Sequence, residues 1–120
     1  MLRVAIRPIR PEKEGRLRAW LEELNTRADE VRQTFREETV RAEQAFVVAG
    51  ATGPLLIYVM EAEDFERGSK AFADSRNDID REHREVMREC LAESSPIVPI
   101  YDVSLQGNVE GVSANRVPSV

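Results

Sequence analysis

Residues 55–60, Leu-Leu-Ile-Tyr-Val-Met, set the strongest constraint on the fold. The run is too short for a buried helix and rich in β-branched and aromatic side chains, so it reads as a strand. Alternate residues of a strand face opposite sides of its sheet. Leu55, Ile57 and Val59 form one row, and Leu56, Tyr58 and Met60 the other. Both rows are apolar, so both faces of the sheet need cover. Helices of the same chain suffice for one. A second copy of the same sheet is the economical cover for the other, which predicts a homodimer joined through a sheet face.

This strand is the second half of a predicted hairpin. Val40, Phe46, Val47 and Val48 give residues 39–49 strand character, and Gly50-Ala51-Thr52-Gly53-Pro54 supplies the turn before the strand over 55–62. Residues 2–9 predict a short first strand ended by Pro8 and Pro11. Residues 11–37 predict one long helix. Leu17, Trp20, Leu21, Leu24, Ala28, Val31 and Phe35 recur at helical spacing in a narrow stripe. Glu12–Arg16, Glu14–Arg18 and Glu23–Arg27 stand four apart with the acid first, and the charges read as a solvated face. After the hairpin, a short helix begins near Glu63 with Phe65, Ser69 and Phe72 inward. A second runs from about Asp78 to Glu93, with the stripe Ile79, Val86, Met87 and Cys90. Residues 97–105 read as a last strand, with Pro99 marking an edge.

The order strand, helix, strand, strand, helix, strand predicts an α+β protein. It is the ferredoxin-like split βαββαβ arrangement, an antiparallel sheet with helices on one face, within a single domain over residues 1–105. Residues 106–120 are polar and aperiodic, and read as a C-terminal tail that is either loose or packed on a partner subunit.

Composition narrows the function classes. With 22 acidic against 17 basic residues the net charge is −5, which disfavours nucleic acid or an anionic membrane as partner. No apolar run approaches the roughly 18 residues of a membrane span, and the N-terminus has no signal-peptide core. The lone Cys90 excludes an internal disulfide and suits a reducing compartment. A soluble cytoplasmic protein is the expectation. No phosphate loop, nucleophile elbow, paired-cysteine motif or dinucleotide fingerprint is present, so no cofactor is expected.

His83, the only histidine, falls within the apolar stripe of its helix, one turn after Ile79 and one before Met87. Any histidine-dependent acid–base chemistry must use it. Asp80, three residues earlier, is the candidate to orient its ring. A buried structural histidine is the competing reading, and Asp80 has a rival role near the helix start. Tyr58, Trp20, Met60 and Met87 are candidates to line a pocket for a small organic ligand, with plain core packing as the alternative. Tyr101 could join them, and Arg7 could grip an anion or serve as an ion-pair partner. One histidine and one aspartate make too few ligands for a metal site.

The segment Pro54–Ala62 running into Glu63-Asp64-Phe65-Glu66, within this layout, resembles the dimeric α+β-barrel superfamily. That group includes antibiotic-biosynthesis-type monooxygenases and rhamnose mutarotases. The spacing of Ser75, Ile79, Asp80 and His83 is similar to a Ser-x-x-x-Ile-Asp-x-x-His run in an uncharacterised bacterial family of that superfamily. The resemblance implies a homodimer with a cavity between sheet and helices. It further implies either a non-catalytic binding protein or a cofactor-independent, monooxygenase- or mutarotase-like enzyme using His83 as general acid/base. The mutarotases carry a catalytic histidine on the first helix, and this chain has none there.

Overall fold

The sheet is built around the central hairpin strand. In the computed structural model, which describes residues 1–105, the elements run β1 (Leu2–Pro8), a 3-10 turn (Pro11–Lys13), α1 (Glu14–Thr26), α2 (Ala28–Glu38), β2 (Val40–Gly50), β3 (Gly53–Ala62), α3 (Phe65–Asp74) and α4 (Asp78–Cys90). Three antiparallel strands pair in the order β1-β3-β2. β2 and β3 meet through a two-residue loop, Ala51-Thr52, closed by the pair Gly50 and Gly53. Gly53 has φ of 144°, a conformation that L side chains rarely adopt.

Register fixes which residues share a face. Tyr58 stands between Ala5 and Ala45, and Leu56 between Arg7 and Val47. This row faces the helices. Leu56 is fully buried, and with Tyr58 it packs into a core containing Leu17, Trp20, Ile79, Val86, Met87 and Cys90. On the opposite face Ile57 stands between Ile6 and Phe46, and Leu55 opposite Val48. No helix among the described residues covers it, and Leu2, Val4, Ile6, Phe46 and Val48 are exposed.

The long helix expected over 11–37 is divided. The Thr26 hydroxyl bonds the Glu23 carbonyl at 2.7 Å, and the Arg27 N–H is shared between the carbonyls of Glu23 and Leu24, both at 3.1 Å. Such local competition bends a helix, and Arg27 departs from helical geometry at φ −114°, ψ 33°. Its guanidinium is held by Glu23, Glu30 and Glu82 at 2.8–2.9 Å, tying the bend to α4.

The expected last strand over 97–105 does not form, so the fourth strand of a split βαββαβ sheet is missing among the described residues. The chain starts toward that position: Ile9 and Leu91 make one antiparallel bridge, and the Ala92 N–H bonds the Pro8 carbonyl at 2.9 Å. It then leaves the sheet. Pro96 and Pro99 lack the N–H groups a ladder needs, and Ile97, Val98, Ile100, Tyr101, Val103 and Leu105 are exposed. The tail expected over 106–120 lies outside the described residues.

Candidate functional site

A cavity of about 50 Å³ lies between the sheet and α2, α3 and α4. Its apolar wall includes Val31 and Phe35 of α2, Met60 of β3, Phe65 and Phe72 of α3, and Ile79 of α4. Phe65, Ser69 and Phe72 face it as the spacing of α3 predicts. Five ionisable groups complete the lining, Glu38, Glu43, Tyr58, Asp80 and His83, with the hydroxyls of Thr34 and Ser69 beside them. An open cleft of about 760 Å³ between α1, α2 and β2 adjoins the cavity and shares Leu24, Val31, Phe35, Glu43 and Tyr58 with it. Glu43 and Tyr58 therefore line both spaces.

Each polar group is placed by a local constraint. Thr39 ends α2 in the left-handed region, at φ 60°. Its hydroxyl accepts from the Asp64 N–H at 3.0 Å, and its carbonyl accepts from the Glu63 N–H at 3.0 Å. The start of α3 is thereby fixed against the end of α2. Gly68 completes that contact: a Cβ there would overlap the Glu38 carbonyl oxygen. The close approach of two helices turns Glu38 inward, where it is only 7% exposed. Glu43 shares the inward row of β2 with Ala45 and Val47, and the Tyr58 hydroxyl donates to its Oε1 at 2.6 Å.

His83 projects from α4 among three aromatic rings, with Trp20, Tyr58 and Phe72 centroids 5.7–6.2 Å away. The Trp20 indole N–H donates to its Nδ1 at 2.9 Å. An indole nitrogen can only donate, so Nδ1 carries no proton and the neutral ring holds its proton on Nε2. Burial pushes the His83 pKa down to about 4. The expected pairing of His83 with Asp80 gives way to this one: Trp20 orients the ring, and Asp80 is bonded by Ser75 and Asn77.

The carboxyls shift the other way. Desolvation, reinforced by Asp80 and Glu43, raises Glu38 to about 8. Desolvation raises Glu43 to about 7 despite the Tyr58 hydrogen bond, and it raises Asp80 as well. Burial and the neighbouring Glu43 push Tyr58 well above its ordinary value. The result is a pair of buried carboxyls, Glu38 and Glu43, poised near neutrality beside a neutral imidazole.

Of the residues singled out from sequence, His83, Asp80, Tyr58 and Met60 come together around the cavity. Trp20 stands behind His83 instead of on the wall, and Met87 is core, buried beside Val86 and Cys90. Tyr101 is exposed and does not line this cavity. Arg7 donates to the Ala92 carbonyl at 3.1 Å, which holds the end of α4 to β1. Glu38 and Glu43 were not anticipated. Glu38 lies one turn beyond Thr34, on the flank of the Val31–Phe35 stripe. Glu43 alternates with Ala45 and Val47, so strand parity alone could have flagged it.

The family model that describes residues 2–106 decides the kinship of this site. The chain belongs to the family of unknown function DUF6176. No curated protein and no solved structure matches it significantly. Among the described residues of this DUF6176 protein, no three His, Cys, Asp or Glu side chains are grouped to hold a metal ion. No helix among them is long and apolar enough to cross a membrane.

Proposed function

We propose that this DUF6176 protein is a homodimer that takes a small organic molecule into the space between sheet and helices and transfers a proton on it. One observation carries the reading: the Glu43–Tyr58 pair, with a carboxyl pKa of about 7, lines both the cavity and the adjoining cleft. A carboxyl in that range exchanges its proton readily at neutral pH. A C–H proton of the ligand passes to the Glu43 carboxylate. The Nε2–H of His83 donates to the ligand oxygen on which the electron pair settles, and the return of the proton completes an isomerisation or an exchange. His83 thus acts through a hydrogen bond, as a neutral donor, with Trp20 holding its tautomer.

The dimer reading rests on the apolar row Ile6, Ile57 and Phe46 crossing all three strands on the uncovered face. A second copy laid sheet to sheet covers it, in the manner of a dimeric α+β barrel. The exposed apolar side chains over 97–105 are then available to pack against the partner. The buried free thiol of Cys90 suits the reducing cytoplasm.

The test is a screen of small carbonyl compounds against the protein in D2O, followed by proton NMR. Deuterium should enter the carbon next to the carbonyl of a bound compound. Glu43→Gln should abolish that exchange while binding persists. Binding with no exchange in the unaltered protein would leave a ligand-binding module without catalysis.

A further inference from the structure

Two carboxylate oxygens in the cavity have no hydrogen-bond partner: Oε2 of Glu38 and Oδ2 of Asp80. Both residues are more than nine-tenths buried, at 7% and 5% exposure, and both line the cavity. An unsatisfied buried acceptor is costly, and more so if charged, so a protein retains a pair of them where something else completes the bonding. The charges facing these oxygens do not complete it. From α2 come Glu37 and Glu38, from β2 Glu43, from β3 Tyr58, and from α4 Asp80, His83 and Arg84. Arg84 spends its guanidinium on the carbonyls of Phe72 and Ser75, at 2.6 and 2.9 Å, and the buried guanidinium of Arg3 on β1 stacks over the Phe65 ring, 4.9 Å from its centroid. His83 is neutral, its Nδ1 taken by Trp20.

The rest of the lining narrows what completes the set. Phe35, Phe65, Phe72 and Tyr58 present aromatic surface, and aromatic faces attract cations. The acids are too few in one place for a metal among the described residues. We infer that the cavity recognises an organic cation, a primary or secondary ammonium on a compact apolar body, with Glu38 and Asp80 accepting its N–H groups and the aromatic side chains enclosing its carbon frame. This deepens the cavity-ligand reading above and rests on it. Uptake of an ammonium removes the cost of the two orphan oxygens and favours the ionised form of both acids, so Glu38, with a folded pKa of about 8, gives up its proton on binding at neutral pH.

Three probes of similar size separate charge from shape: butylammonium, butan-1-ol and butyrate. Trp20 is the only tryptophan, so its indole N–H gives one assignable NMR signal, and that signal reports on His83 directly. Butylammonium should move it and bind at least tenfold more tightly than butan-1-ol, and butyrate should leave it unmoved. Glu38→Gln and Asp80→Asn should each weaken butylammonium about tenfold and spare butan-1-ol, with circular dichroism confirming the fold. Should one variant fail to fold, the other carries the comparison. Equal binding of alcohol and ammonium, or tighter binding of butyrate, overturns the cation inference and leaves a cavity that takes ligands. If none of the three moves the indole signal, the inference and the cavity reading fall together.

Discussion

The two faces of the sheet reverse the usual distribution of polarity. The face under the helices carries Tyr58 and Glu43 toward a buried acid cluster, and its Arg3 is buried too. The open face carries Leu2, Val4, Ile6, Phe46 and Val48, with Phe46 47% exposed. Charge burial is costly and exposed apolar surface is costly. A chain that accepts both on one three-stranded sheet has a use for each. On the function proposed above, the inner face serves proton transfer and the outer face contact with a second copy.

The sharpest way to break the comparison is to alter two neighbours on β3 that point opposite ways. Leu56→Ala should cost about 2–5 kcal/mol, because it opens a void in a filled core, and the loss in urea unfolding should not depend on protein concentration. Ile57→Asp should instead split the proposed dimer, seen as a halved mass in sedimentation velocity. A variant that stays dimeric would show that the outer face is not the interface.

Next comes the joint between α2 and α3. Gly68→Ala places a methyl against the Glu38 carbonyl. The backbones must part, at a cost of about 1–3 kcal/mol. The Trp20 indole signal should shift as the cavity widens, whereas Gly15→Ala, where a Cβ meets open space, should not move it.

The acid cluster predicts a smaller and graded effect. Glu38 and Glu43 have folded-state pKa values of about 8 and 7, above the ordinary carboxyl value. Between those limits the folded state holds protons that the unfolded chain has released, so stability is greatest at the acid end and falls as pH rises toward 8. Each group contributes a slope of at most about 1.4 kcal/mol per pH unit. His83 works in the opposite sense: its folded pKa of about 4 lies below the ordinary 6.5, so its contribution is lost as pH falls through that window. Denaturant melts from pH 6.5 to 8 isolate the acids, and Glu38→Gln with Glu43→Gln should flatten the decline. The smallest effect belongs to the surface. Glu82→Gln removes one of three carboxylates on Arg27, all of them exposed, and should cost no more than about 1 kcal/mol.

Most of the layout was legible because its signals are local. The hairpin announced itself through Gly50, Gly53 and Pro54, and α3 through Phe65, Ser69 and Phe72. The failures have physical causes. Thr26 redirects a carbonyl and divides a helix whose apolar stripe runs on unbroken, so periodicity could not show the bend. The run over 97–105 has strand composition, but prolines at 96 and 99 spoil its ladder. At the site, His83 stood out as the only histidine. The partner of its ring, Trp20, lies 63 residues away, and spacing along α4 pointed to Asp80 instead. Glu38 and Glu43 were lost among 22 acidic residues, because what distinguishes them is burial, which only packing supplies.

Cys90 gives the molecule a built-in clock. It is the only thiol, fully buried at the end of α4, and its carbonyl accepts the Arg10 N–H at 2.8 Å where the chain meets β1. Burial raises its pKa, so in the closed state it is both hidden and poorly nucleophilic. An alkylating reagent reaches it only when the end of α4 lifts from the core. The rate of labelling therefore measures how often that corner opens, and any ligand that tightens the layers should slow it.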